Sequence, residues 1–178
     1  MTLPSELDAA MIVGWSPAGG VPKVPEGRRA TEYFSLLNPI RHGDTAEAVA
    51  CYRVEPYVVA GDVYGAAPHT GRGGWSWYSG SASWLYRVAL EAILGFRREG
   101  DTLRLQPCIP ASWPGYELTY KHGSATYHIH VRNPHGLESG TAQVSVDGKA
   151  QPDSAVRLVD DGCDHAVEVV IGPPSTRD

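Results

Sequence analysis

The feature that most constrains this chain is a change of hydrophobic period at Gly95. Before it, apolar residues recur at the 3.6-residue spacing of helices. After it they alternate at every second residue, as on half-buried strands. A chain that places its helices first and its strands afterwards does not build the alternating units of a parallel α/β sheet. The expected class is α+β: helices followed by an antiparallel β-sandwich. With 178 residues, the chain is long enough to bury a sizeable core without disulfides or a structural metal.

In the helical half, residues 27–94, GRRATEYFSLL sets Ala30, Tyr33, Phe34 and Leu37 at helical spacing, and Asn38-Pro39 ends the run. Asp44 or Thr45 then caps a short helix through Ala46, Val49 and Ala50. The stretch EPYVVAGDVYG reads either as a helix with Pro56 in its first turn or as a Val-rich strand. From Ser79 to Leu94, SASWLYRVALEAIL is apolar on most sides, which predicts a helix buried among partners, with Gly95 as its left-handed C-cap. Residues 1–26, with Pro17, Gly19, Gly20, Pro22 and Pro25, form an irregular lead.

The strand half, residues 95–178, opens with FRREGDTLRLQP, a hairpin turning near Gly100-Asp101. YELTYKHGSATYHIHVRNP is a second hairpin, turning at His122-Gly123. In its second arm Ala125, Tyr127, Ile129 and Val131 alternate with Thr126, His128, His130 and Arg132. TAQVSVDGKA carries an Asp147-Gly148 turn signal, and AVRLVDDG and HAVEVVIG supply two more short strands.

Charge narrows the partners. Fifteen Lys and Arg against twenty Asp and Glu give a net charge of −5, with no basic stripe, which excludes phosphate-backbone binding to nucleic acid. The N-terminus MTLPSELDAAMIVGW is acidic, the wrong polarity for a secretory signal, and no stretch is apolar for the span a membrane helix needs. Cys51, Cys108 and Cys163 are widely separated thiols of the kind a reducing compartment keeps, so the expectation is a cytoplasmic protein without metal.

Chemistry concentrates in DVYGAAPHTGRGGWSWYSGSASW, residues 62–84. Ser79 and Gly80 stand at the mouth of the strongest helix, where unpaired N–H groups and the helix dipole favour an anion. His69 and Arg72 add side-chain donors, while Trp75, Trp77 and Trp84 are plates of the sort that stack on sugar rings. The plainer reading is that Ser79 is an N-cap and the tryptophans are core; spacing leaves both open. The run is not a Walker A loop, because GRGGW lacks the lysine. Glu55 and Asp62, seven apart, would share a helix face, either as an acid-base pair on a glycoside or as two solvated charges. His128 and His130 point to one side of a strand, as metal ligands or as an exposed polar face.

Longer strings carry a family resemblance. LLNPI at 36–40, YRVEPYVVAGDVY at 52–64, APHTGRGGWSWYSGSASWLYR at 67–87 and AILGFRREGDTLRLQPCIPASWPGYEL at 92–118 are similar to the C-terminal part of glycoside hydrolase family 94. These are inverting phosphorylases of β-linked glucosides, and the likeness is nearest to the C-terminal module of cyclic β-1,2-glucan synthases. The resemblance implies the last helices of an (α/α)6 barrel followed by a jelly-roll-like β-sandwich. It implies β-linked glucoside or glucan and inorganic phosphate as substrates, with no other cofactor. A homodimer, or an upstream chain supplying the rest of the barrel, is the partner it implies. His69, Ser79 and Gly80 fall on the family's phosphate-binding positions, Ser79 standing where threonine is usual. Glu55 falls on a position facing the acceptor sugar, and Arg72 and Trp77 lie in the same matched string as substrate contacts. The family's general acid is an aspartate upstream of any matching segment, and residues 1–26 do not resemble the barrel that should precede residue 27. The expectation is a module carrying the phosphate side of a phosphorylase without its acid. The alternatives are a non-catalytic carbohydrate-binding or scaffolding fragment, or a remnant that folds poorly.

Overall fold

The computed structural model of the chain describes residues 27–55, 58–76 and 79–173. The irregular lead expected over 1–26 lies outside them. The described residues form two compact units, one of residues 31–89 and one of residues 27–30 with 90–173.

Helix α1 (Gly27–Leu37) follows the apolar spacing and stops where expected, at Asn38-Pro39. Asn38 takes an extended conformation and its side chain accepts from Ile40 N at 3.1 Å, capping a 3₁₀ turn over Pro39–His42. Thr45, rather than Asp44, caps α2 (Ala46–Tyr52), its Oγ1 accepting from Ala48 N at 3.1 Å. Arg53 ends α2 in the left-handed region, with φ 57°. Over residues 58–65, the described part of the stretch EPYVVAGDVYG beyond Glu55, the expected helix does not form, and the strand alternative shrinks to one isolated bridge, Val63 to Gly73. The N–H groups of this stretch go elsewhere: Val58 N to Glu55 O, Ala60 N to the Tyr52 hydroxyl, Gly61 N to Trp75 O.

Helix α3 (Ser79–Arg87) does not run as one α-helix to Leu94, because its winding widens into a π turn over Val88–Ile93. Val88 and Ile93 are buried, but Trp84 and Tyr86 are 46% and 67% exposed, so the helix is not enclosed all round as its composition predicts. Gly95 closes the run at φ +67°, and a Cβ there would stand 2.0 Å from Gln106 O. Only glycine fits both the dihedral and the space.

In the second unit, β1 (Phe96–Glu99) and β2 (Thr102–Leu105) form the expected hairpin, and β7 (Ala155–Arg157) adds to β2 antiparallel. The larger sheet contains β3 (Gly115–His122), β4 (Ala125–Arg132), β5 (Thr141–Val146), β6 (Lys149–Ala150) and β8 (Asp164–Gly172). Its order is β3-β4-β8-β5-β6. Here the antiparallel expectation is corrected: β4 and β8 run parallel, from Thr126 against Asp164 to Arg132 against Val170. A parallel partner cannot follow through a tight turn. Instead, β5, β6 and β7 lie between β4 and β8 along the chain.

The core draws on both sheets, from Leu103, Leu105 and Val156 on one and Tyr127, Ile129, Val131, Val167, Val169 and Ile171 on the other. The odd-numbered residues of β4 face inwards, as their alternation dictates. Where the chain leaves β4, the buried Asn133 carries the turn. Its Nδ2 donates to Trp113 O and Leu137 O at 3.2 and 2.9 Å, and its Oδ1 accepts from Leu137 N at 2.9 Å. Asn133→Ala leaves those backbone groups without their partner, so denaturant unfolding of the variant should report a loss of about 2 kcal/mol. An unchanged midpoint would mean that the turn holds without it.

Candidate ligand-binding site

The first unit is assembled around Tyr52. Its ring is buried and stacks on His42, with centroids 4.4 Å apart and an interplanar angle of 13°. His42 is itself fixed through a hydrogen bond between its Nε2 and Leu36 O at 2.9 Å. The Tyr52 hydroxyl accepts from Ala60 N at 3.4 Å and its carbonyl accepts from Gly73 N at 2.8 Å. Burial pushes the phenol above its ordinary range, the Ala60 N–H pulling weakly the other way.

Onto this base docks a narrow ribbon of two arms, residues 61–64 and 71–75. Its rungs are Gly61 N to Trp75 O, Gly74 N to Asp62 O, Tyr64 N to Arg72 O and Gly71 N to Tyr64 O. Asp62 staples the arms, its Oδ1 accepting from Trp75 N at 2.9 Å. The glycines of GRGG serve this packing. A Cβ at Gly73 would come 2.4 Å from Val54 Cγ2, one at Gly74 would come 2.3 Å from Asp62 Oδ1, and one at Gly71 would come 2.6 Å from Cys51 Sγ. Cys51 also donates its thiol to Thr70 O at 3.3 Å, tying the ribbon's tip to α2.

At the tip, His69 N donates to Ala66 O and Arg72 N to His69 O, a tight coil that leaves both side chains exposed. The His69 ring lies 6.1 Å from that of Tyr64, tilted by 56°. The ribbon therefore holds His69 and Arg72 close along the backbone, with both side chains exposed. Glu55 is exposed just beyond the α2 cap, its carbonyl held by Val58 N. Glu55 and Asp62 do not share a helix face, since the described residues 58–62 form no helix. Asp62 is occupied by the ribbon, which corrects its reading as half of a carboxylate pair.

Gly80 is exposed in the first turn of α3, with open space where a Cβ would stand. Ser81 Oγ, one residue on, donates to Val59 O at 3.4 Å and ties the start of the helix to the stretch below the ribbon. The side chain of Ser79 and all of Trp77 lie outside the described residues. Of the other tryptophans read as sugar platforms, Trp75 is 61% exposed, and Trp84 carries the Arg87 guanidinium 5.3 Å from its ring centroid. His128 is exposed on β4, while His130 Nδ1 lies 3.4 Å from Glu168 Oε1 on β8. Tyr52 and Cys51 are what the sequence reading missed. The only signal was their place at the end of a short helix just ahead of the glycine-rich run.

Comparison with known proteins gives these residues a setting. Residues 14–95 match the Glycosyl hydrolase 94 superfamily, catalytic domain, so the family likeness begins within the 1–26 lead, at residue 14, and not at residue 27 as the sequence reading expects. The chain is 46% identical over 114 residues to the cyclic beta-(1,2)-glucan synthase NdvB of Rhizobium meliloti, covering 64% of this chain and 4% of that one. It is 36% identical over 151 residues to the N,N'-diacetylchitobiose phosphorylase of Vibrio furnissii, covering 84% of this chain and 18% of the relative. It is 28% identical over 144 residues to the solabiose phosphorylase of Paenibacillus borealis, again covering 18% of the relative. The chain thus spans less than a fifth of the length of these curated relatives.

The hub predicts a graded response. Tyr52→Phe keeps the stack on His42 and gives up one long hydrogen bond, so it should cost less than about 1 kcal/mol. Tyr52→Ala removes the buried ring and should cost about 3 to 5 kcal/mol. The fluorescence of Trp75, on the ribbon arm that Tyr52 anchors, would follow both. Equal losses for the two would remove Tyr52 from the centre of the unit.

Proposed function

This chain corresponds to the C-terminal part of glycoside hydrolase family 94, and on that premise we propose that it is a glycoside phosphorylase-type module holding the phosphate side of the reaction. In such a reaction phosphate attacks the anomeric carbon of a β-linked glucoside with inversion, while an acid protonates the departing oxygen. The observation that carries the reading is that the family match, residues 14–95, takes in both the donor-bearing ribbon and the start of α3.

In this reading His69 and Arg72 give charged or neutral N–H donors to the phosphate oxygens. Ser79 adds a hydroxyl, and Gly80 exposes a backbone N–H at the positive end of α3 with no side chain to obstruct it. Glu55 accepts from hydroxyls of the sugar in the acceptor subsite, and Trp77 packs on a sugar face. Phosphate is the only co-substrate called for. The general acid is supplied from outside the segments named here, by an upstream barrel or a partner chain.

Helices α1 to α3 are then the last helices of an (α/α)6 barrel, and the two sheets are its jelly-roll-like companion. Exposed apolar side chains on those helices, among them Leu36, Leu37, Val49, Trp84 and Tyr86, fit this role. Such surface belongs against further helices. Among the described residues no helix is long and apolar enough to cross a membrane. A cytoplasmic setting, with β-glucosides and a second copy of the chain as partners, completes the proposal.

A thermal melt followed by tryptophan fluorescence tests it. Phosphate at ten times its Kd should stabilise the folded state by about 1.4 kcal/mol, about 3 to 5 °C for a chain of this size. Chloride at equal ionic strength should do nothing. His69→Ala should abolish the shift and leave the unliganded midpoint in place, since the ring is exposed, whereas Ser79→Thr, which keeps the hydroxyl, should retain it. A phosphate shift undiminished by His69→Ala would take that residue out of the site. Sugar binding without any phosphate response would replace the reading with a carbohydrate-binding one.

A further inference from the structure

At one end of the second unit, loops converge on a single imidazole. His165 lies at the start of β8, in register with Tyr127 on β4, and the two rings stack with centroids 4.8 Å apart. Tyr127 is 1% exposed, and its hydroxyl accepts from Val159 N at 2.7 Å and donates to Val159 O at 3.2 Å. His165 therefore closes the end of the core over a ring that is itself fixed.

Both nitrogens of His165 face carboxylates. Nδ1 is 2.9 Å from Asp147 Oδ2, in the turn between β5 and β6, and Nε2 is 3.2 Å from Asp161 Oδ1, in the loop that enters β8. Neither acid is free to swing away. Asp147 Oδ1 accepts from Ala166 N at 2.9 Å, and Asp161 Oδ1 accepts from Cys163 N at 3.0 Å. A neutral imidazole has one N–H and would turn a lone pair towards one of these carboxylates. Both contacts are satisfied together only when the ring carries two protons.

We infer that His165 is a proton-operated clasp, tying the β5–β6 turn to the loop before β8 as an imidazolium and releasing one of them when it deprotonates. The groups around it are few. Lys149 on β6 draws on Asp147, while Tyr127 from β4 is uncharged. Cys163 and Asp164 flank it along the chain. Beyond Asp161, Asp160 accepts from Ser124 N and Oγ at 2.7 and 2.5 Å and is drawn by His122 on β3. The hydrogen bond that the ring donates to Asp147 is the largest influence holding the imidazole above its ordinary value of 6.5. The hydrogen bond from His165 is the largest holding Asp147 below its own, and the Cys163 N–H does the same for Asp161. The sign follows from these directions. With the folded imidazole value raised, the clasp is fully closed below 6.5 and opens as pH rises through the higher folded value. On the acid side it fails only as pH falls through the depressed carboxylate values.

Proton NMR of the full chain tests this. The His165 Cε1–H should titrate with a midpoint above 6.5. Backbone amides of one of the two loops, residues 147–148 or residues 160–163, should lose several-fold protection from exchange, after correction for intrinsic rates, as pH crosses that midpoint. Asp147→Asn should lower the midpoint; asparagine tolerates the positive φ of 50° at that position, so the turn is kept. A midpoint at or below 6.5 in the parent chain overturns the inference, with or without a folded variant. A raised midpoint with unchanged protection overturns it too, since the ring would then titrate without holding the loops.

Discussion

The parallel pairing of β4 with β8 is the constraint from which the second unit follows. Because the two strands run the same way, the start of β8 must lie beside the start of β4, which is the end of the unit where the β3–β4 turn sits. Because β5 runs antiparallel to β8, with Val146 opposite Val167, the end of β5 and its turn at Asp147-Gly148 arrive at that same end. One pairing direction thus gathers two turns and the loop entering β8 into one place. The ties among Ser124, Asp160, Asp161, Asp147 and His165 are the consequence. β8 lies between β4 and β5, so the central ladder pairs β4 with a strand far along the chain, the kind of non-local contact that slows folding.

The first unit holds itself together differently, with few of its apolar side chains buried among the described residues. It uses one aromatic side chain as a post and glycines as clearance. Tyr52 is held by His42 on one side, and its backbone and hydroxyl hold the chain on the other. The ribbon approaches so closely that Gly73 and Gly74 meet Val54 and Asp62 where a Cβ would stand. Such an arrangement commits much of its backbone to hydrogen bonds and leaves side chains such as His69 and Arg72 exposed. That combination suits a loop that presents groups to a ligand.

What the sequence made legible was local. Asn38-Pro39 stops α1 and Thr45 caps α2 as the local sequence suggests, because such signals depend on residues within the same turn. Gly100-Asp101 and Asp147-Gly148 mark their hairpins for the same reason, the second pair with φ of 50° and 77° as such a turn requires. The alternation in β4 named its inward residues correctly. What stayed hidden was set by distant segments. No periodicity announces that β8 will pair with β4 in parallel. EPYVVAGDVY has the composition of a helix or a strand, yet residues 58–64 form neither, and N–H groups of Val58, Ala60 and Gly61 are claimed by Glu55, Tyr52 and Trp75. Asp160-Asp161 reads as a plain turn until Ser124 and His165 arrive from other strands. In the site, His69 and Arg72 were grouped by nearness in sequence, and the ribbon keeps them together for a reason that sequence did not supply.

The role of the glycines also decides what kind of anion seat the proposed site is. A glycine-rich phosphate loop works by offering a succession of free N–H groups. Here Gly71, Gly73 and Gly74 donate their N–H groups to carbonyls of Tyr64, Tyr52 and Asp62 and are unavailable to a ligand. Those three glycines therefore offer no backbone donor, and what the ribbon would bring to the proposed seat is the exposed side chains of His69 and Arg72. Backbone donors come from the start of α3, where the space beside Gly80 is open. The two contributions differ physically. The helix end is a fixed partial charge, whereas His69 and Arg72 ride on rotatable stems whose ordering costs entropy on binding. Replacing either side chain should weaken binding by lost contacts alone. Filling the space at Gly80 would instead block the approach to a charge that remains in place.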